Sequence, residues 1–325
     1  DRLRSRGLGD VYKRQGKWLG IDLQENMVIA DSWNIINLNS FMINNNYNII
    51  HSYFYSYYFN AKFSCARILT IHDLMPRMKM YFGENWSESV HWMDTIIAVS
   101  EYTKSDIINT YNVSPDIIKV VYPGLFKLDV KDSGEIGDRI RKIVKKPYIM
   151  TVSTLRAYKN MLGLVKAFCL FKELNANTDI NLIIVGKNNK SNDVIKEIMN
   201  FCGERRDIIF TGYVTDDELV YLYKNSIATG FVSFYEGFGL PVLESLSYGK
   251  TVICSDQTSI PEVGGDAVEY CNPYDIESIE NAIEKVVLND NYRQELEKRA
   301  LIQAAKFSYS KACLLYTSPS PRDRS

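Results

Sequence analysis

Two glutamates eight positions apart, Glu236 and Glu244, frame the segment Gly237-Phe238-Gly239-Leu240-Pro241-Val242. Gly237 and Gly239 let the backbone turn tightly and approach a ligand, and Pro241 suits the first position of a helix, where an N–H would have no partner anyway. The N–H groups around Leu240 and Val242 would then point at whatever lies above, and glycines before a helix N-terminus make a ready phosphate site. Glu244, about one turn into that helix, could accept two hydrogen bonds from a ribose diol beside the phosphates. Glu236, at a strand end, would face a sugar from the other side. Each part also has a plainer reading: a first-turn glutamate complements the macrodipole for roughly 0.3–1 kcal/mol, and a glycine pair before a helix is common. Lys159 stands at a second helix start, where a cation is unfavourable, so an anion is expected nearby. Only three histidines occur in the chain, and His72 closes a strand in Arg67-Ile-Leu-Thr-Ile-His72-Asp73. It is a candidate catalytic residue, with a structural histidine as an equal alternative, and it is not assigned as a general base. His51 closes another strand, and the aromatics after it read as core packing.

The elements that must hold these residues alternate short apolar runs with helix-period segments, the pattern of parallel βαβ units with right-handed crossovers. The fold class is therefore α/β. In the first half, strands are expected at Asn48–Tyr53, Arg67–His72, Thr95–Val99 and Ile117–Tyr122. Ser100 caps a helix with Glu101 in its first turn. The charged, poorly periodic stretch 127–146 reads as a linker between a first domain, 16–126, and a second, 147–310. Further strands are expected at Tyr148–Ser153, Leu182–Gly186, Ile208–Val214, Ile227–Ser233, Thr251–Ser255 and Ala267–Tyr270, separated by helices of about 10–16 residues. Such a doubly wound sheet binds ligands beyond the carboxyl ends of its strands, which narrows the search to a few loops. Thr215 with Glu218 three residues on is a capping box and reads as structure.

Taken together, Phe231-Val-Ser-Phe-Tyr-Glu236-Gly-Phe-Gly-Leu-Pro-Val-Leu-Glu244 closely resembles glycosyltransferase family 4, with the E-x7-E pair of retaining glycosyltransferases. The resemblance covers about residues 48–310 and implies the GT-B architecture: two Rossmann-like doubly wound domains facing across a cleft, the first incomplete here. Tyr148–Asn160 is similar to the family's strand, loop and helix start, in which the lysine, here Lys159, meets the donor diphosphate. This chain departs from that pattern at Ser153, where glycine is usual, and at Tyr158, where arginine is usual. Arg156 is a candidate for the missing charge. Phe210-Thr211-Gly212-Tyr213-Val214 resembles the segment whose backbone lies against the nucleotide base and Val185-Gly186-Lys187 is a further match, each weak alone, and Pro261-Glu262-Val263-Gly264-Gly265 resembles a turn beside the donor site, with glycines that also suit the turn alone. Thr70-x-His72-Asp73-x-x-Pro76 is similar to a segment near the transferred sugar and acceptor.

What the resemblance implies is retaining, metal-independent hexosyl transfer from a nucleoside-diphosphate sugar, with no separate cofactor. The wording is nearest to bacterial polysaccharide mannosyltransferases, so GDP-mannose leads as donor, with a UDP-sugar second and a saccharide or lipid-linked saccharide as acceptor. Retention by same-face attack and by a covalent intermediate both stay open. A nucleotide-sugar epimerase, a glycogen-phosphorylase-like enzyme and a non-catalytic sugar-nucleotide-binding protein are the alternatives. A nicotinamide dehydrogenase is not supported, because no G-x-G-x-x-G opens a helix.

Composition bounds the rest. A length of 325 residues with 46% hydrophobic content suits two packed cores. A net charge of −1 gives no reason to expect nucleic acid. Six cysteines without C-x-x-C spacing read as buried thiols of a reducing cytosol. No apolar run approaches the roughly 20 residues of a membrane span, so the expected location is the cytoplasm, at the inner membrane surface if the acceptor is lipid-linked. Residues 1–15 and 314–325 look like translated adaptor sequence, on which reading the natural protein began earlier.

Overall fold

A computed structural model describes residues 49–52, 66–74, 90–125, 136–186, 193–203, 205–308, 310 and 312. The terminal stretches 1–15 and 314–325, Pro76 and Lys187 lie outside the described residues. The chain divides into two compact units. The smaller takes in the described residues up to Val99 together with Thr103–Val121; the larger takes in Ser100–Tyr102 and Tyr122–Ala312.

In the smaller unit, β1 (Ile49–Ser52), β2 (Ala66–Ile71), β3 (Thr95–Ala98) and β4 (Ile118–Val120) form a parallel sheet in chain order, flanked by α1 (Glu101–Tyr111). Its core packs Leu69, Ile71, Ile96 and Ala98 from the strands against Ile107 of the helix.

The larger unit is a six-stranded parallel sheet in the order β10-β9-β8-β5-β6-β7. Its strands are β5 (Tyr148–Val152), β6 (Asn181–Val185), β7 (Ile208–Gly212), β8 (Ala228–Phe231), β9 (Val252–Ser255) and β10 (Glu269–Cys271). The helices are α2 (Asp138–Ile143), α3 (Met161–Leu174), α4 (Asp193–Cys202), α5 (Asp216–Asn225), α6 (Leu240–Ser247), α7 (Ile260–Gly264), α8 (Ile276–Leu288) and α9 (Asp290–Ala304). The expected strands are all present, but several ladders stop a residue or two before the apolar run does, leaving Ser153, Ser233 and Val214 in loops. The helices α6 and α7, of eight and five residues, are shorter than the expected length.

Every residue of β6 is buried, because successive side chains of a strand alternate between faces and both faces are covered. Ile149, Leu182 and Ile184 pack with Phe168, Ile198 and Ile283 on one side. Tyr148, Met150, Ile183 and Val185 pack with Ile140, Leu222 and Tyr223 on the other. Ile140 belongs to α2, which lies within the segment 127–146 read as a linker. A six-residue helix with a single fully buried side chain shows no period in the sequence, and its flanking charges give it the look of a connection.

The capping box at α5 is formed: the Glu218 N–H donates to Thr215 Oγ1 at 3.2 Å and the Thr215 N–H to Glu218 Oε2 at 2.8 Å. Thr215→Ala is expected to cost about 1 kcal/mol and to lower the melting temperature by roughly 2–4 °C, measured by calorimetric unfolding.

Candidate active site

The order of the larger sheet sets the location. From β5 the chain moves outward through β6 and β7, then returns to place β8 on the other side of β5. The carboxyl ends of β5 and β8 therefore flank the point where strand order reverses, where doubly wound sheets leave a crevice. Lys159 follows β5 and Glu236 follows β8. They meet there: Lys159 Nζ lies 2.5 Å from Glu236 Oε1, with side-chain exposures of 14% and 11%. The anion expected near Lys159 is thus present within the protein. The ammonium also lies 4.9 Å from the centroid of the Tyr158 ring and 5.5 Å from that of Phe231, so aromatic faces surround it where the family pattern has a second cation.

Lys159 ends a single 3₁₀ turn, Ala157–Lys159, rather than opening an α-helix. The reason is Asn160, which is left-handed (φ 50°, ψ 38°) and separates that turn from α3. The buried Asn160 amide donates to Val232 O at 3.2 Å and Pro273 O at 2.7 Å, tying the loops after β5, β8 and β10 together. Asn is one of the few residues that tolerates this backbone.

The backbone of Glu236 is held by the loop after β9. Its N–H donates to Thr258 Oγ1 at 3.2 Å, and Ser259 Oγ donates to its carbonyl at 2.9 Å. Thr258 has φ 58°, a conformation uncommon for a β-branched residue and costing on the order of 1–3 kcal/mol. Thr258 and Ser259 hold Glu236 in place without being marked in the sequence, where their one signal is a place in the loop that follows β9.

Gly239 caps α6 with φ 106°, and a Cβ there would lie 2.7 Å from Ile260 Cδ1. Pro241 occupies the second helical position rather than the first, which is equally without need of an N–H. The Val242 N–H donates to Gly239 O at 3.0 Å and the Leu243 N–H to the same oxygen at 3.3 Å. This corrects the expectation for Val242: its amide closes the first turn, and its side chain is fully buried. Phe238 is also a core residue, against Phe307 and Tyr122. Gly237 is buried and Leu240 is half-buried.

Glu244 lies in the second turn of α6, and its Oε2 accepts the hydroxyl of the buried Tyr223 at 2.8 Å. Beside β7, Gly212 has φ 66° and Tyr213 is 43% exposed. Arg139 of α2 spans this loop, donating to Thr211 O and, at 3.0 Å, to Tyr213 O. The Gly186 N–H donates to Gly212 O at 3.3 Å. Val214 packs on the core beneath. Arg139→Ala is expected to loosen this loop by about 0.5–1.5 kcal/mol for each hydrogen bond lost, read as faster amide hydrogen exchange over residues 211–214.

Ser153 is half-buried, with its hydroxyl donating to Thr154 O at 2.9 Å. A Cβ on Gly186 would lie 2.7 Å from Ser153 O, so the two strand ends approach as closely as glycine permits. Arg156 is exposed before the 3₁₀ turn. In the smaller unit, His72 is half-buried directly after β2. His51 shares a 2.8 Å hydrogen bond with Thr70 Oγ1, and burial pushes its imidazole down to about 4, so it is neutral near pH 7.

Parallel sheets of this kind, with a crevice at a reversal of strand order, are Rossmann-like, and the likeness to solved glycosyltransferases gives the fold as GT-B. A glycosyltransferase from Rickettsia africae is similar over 89% of this chain and 82% of its own, at TM-score 0.69 and 18% identity. Anabaena HepE, solved in complex with UDP and glucose, is similar over 90% and 83%, at TM-score 0.69 and 16% identity. The chain belongs to the glycosyl transferases group 1 family, whose model matches residues 133–303, and the glycosyltransferase family 4 model matches residues 22–125. The Escherichia coli O-antigen chain mannosyltransferase B is 30% identical over 246 residues, 74% of this chain and 64% of that protein. The serotype-specific mannosyltransferase WbdA of the same species is 28% identical over 260 residues, 75% of this chain and 32% of that protein. The chain therefore spans less than two thirds of the length of these relatives.

Proposed function

We propose that the chain transfers a hexose, mannose before others, from a nucleoside-diphosphate sugar to a saccharide or lipid-linked saccharide acceptor, with retention and without a divalent ion. The observation that carries this reading is the meeting of Lys159 and Glu236 at the strand-order reversal of the larger sheet, beside the N-terminus of α6. Breaking the anomeric C–O bond leaves oxocarbenium-like charge on the sugar and negative charge on the departing diphosphate. Lys159 and the α6 N-terminus around Leu240 would hold that diphosphate, Glu244 the ribose and Glu236 the sugar hydroxyls. The base would lie against Gly212–Val214, where Tyr213 offers an exposed ring. His72 remains a candidate on the acceptor side.

The relatives named as mannosyltransferases favour GDP-mannose, and the UDP complex of Anabaena HepE keeps a UDP-sugar second. One feature favours a binding protein without transfer: Tyr158 stands where a second cation is usual, and the remaining lysine is ion-paired. Donor turnover separates the two. The first test is calorimetry with GDP-mannose and then UDP-glucose on the protein and on Glu244→Ala. Tight binding of one donor, lost in the variant, supports the site and names the nucleotide. Absence of binding to a folded protein sinks it.

A further inference from the structure

Resting on the reading of Glu244 as the ribose acceptor, we infer that Tyr223 is a positioning residue that sets nucleotide affinity through the ribose. Tyr223 sits near the end of α5 with 1% exposure, and its hydroxyl donates to Glu244 Oε2 at 2.8 Å. The ring is stacked on Tyr248, which follows α6, at 5.6 Å and 24° between planes. It is packed with Leu222, Tyr148 and Met150 beneath the sheet. A glutamate on a half-exposed helix face has three side-chain torsions to fix before it can present an oxygen to a diol. Here one oxygen is anchored from below by a hydroxyl that has no freedom of its own. Burial and the Glu244 carboxylate push the Tyr223 phenol well above its ordinary range, so it remains a donor at any pH the enzyme meets.

The anchor has a chemical consequence. With Oε2 held by Tyr223, the carboxylate is fixed in orientation, and its acceptor lone pairs call for two adjacent donors. The vicinal 2′- and 3′-hydroxyls of a ribose meet that demand, and a ribose lacking them does not. Tyr223 thus contributes to affinity only for ligands that carry the diol. A purely structural role, satisfying the hydroxyl of a buried tyrosine, would affect all nucleotides equally.

The test titrates GDP, UDP and their 2′,3′-dideoxy counterparts into the wild-type chain, Glu244→Gln and Tyr223→Phe, with melting temperatures recorded for each. The expected result is a wild-type preference for the ribonucleotide that Glu244→Gln abolishes and Tyr223→Phe reduces by about tenfold, with dideoxy binding unchanged in Tyr223→Phe. A preference lost in Glu244→Gln but intact in Tyr223→Phe overturns the inference and leaves the ribose site standing. So does an equal loss for both kinds of nucleotide in Tyr223→Phe. A preference that survives Glu244→Gln overturns the ribose reading itself, and the inference falls with it.

Discussion

Replacing Glu236 with Gln is expected to uncouple binding from transfer: nucleoside diphosphate should bind about tenfold more tightly, while transfer should fall on the order of 100-fold or more. In the structure Lys159 is already engaged by Glu236 at 2.5 Å, both side chains largely removed from water. On the proposed reading, an incoming diphosphate has to draw the ammonium from a carboxylate that remains close by. Two anions then compete for one cation in a medium of reduced dielectric, where the interactions are strong. Gln keeps the shape and removes the competitor. The released ammonium still lies over the rings of Tyr158 and Phe231, which limits the cost of leaving it without its carboxylate. The reciprocal change is asymmetric. Lys159→Met strands the Glu236 carboxylate at 11% exposure, and losing one partner of such a pair costs about 3–5 kcal/mol when burial is complete, somewhat less here. Calorimetric titration of GDP and UDP, paired with single-turnover transfer, checks both variants. Weaker nucleotide binding by Glu236→Gln would mean that the glutamate organises the lysine rather than competing for it.

Gly239→Ala is expected to destabilise the larger unit by about 2–4 kcal/mol and to weaken diphosphate binding in the same step. The glycine backbone, at φ 106°, is one that L-residues rarely adopt, and the added methyl would lie 2.7 Å from Ile260 Cδ1, a side chain with no exposure. Relief requires either moving α7 out of the core or rotating the α6 cap. Rotation displaces the Gly239 carbonyl that receives the Val242 and Leu243 amides, so the helix start and its field move together. Chemical denaturation measures the first effect and nucleotide titration the second. A stability loss with unaltered affinity would place the diphosphate away from the α6 N-terminus.

Much of the architecture was legible because most strands are short apolar runs closed by Gly, Ser or Pro, and because Gly237-Phe238-Gly239 sits between two glutamates. The pairing of Lys159 with Glu236 was legible only in part. The expectation of an anion rested on a helix start that Lys159 does not occupy, and its partner, 77 positions away, is brought near only because β8 returns to lie beside β5. Strand order is a tertiary outcome that periodicity does not encode. The same applies to Tyr223, which reads as one more apolar position of α5, and to Thr258, whose unusual φ has no mark in its residue type. Arg139 was hidden for another reason: the helix carrying it is too short for a period, so its charges resemble a connection. Val242 was misread because the sequence locates a helix start without saying which amides the first turn already uses.

The arrangement β10-β9-β8-β5-β6-β7 also has a consequence during synthesis. β5 leaves the ribosome with β6 and β7 soon behind it, and those three can pair at once. Its other edge waits for β8, whose Ala228 partner to Ile149 follows roughly 80 residues later, about 4–16 s at ordinary elongation rates. Through that interval a strand destined for the centre of the sheet presents a row of unpaired N–H and C=O groups between apolar side chains. The crevice that brings Lys159 to Glu236 is thus assembled late. The nascent chain spends those seconds with one edge of its central strand open to pairing with other chains.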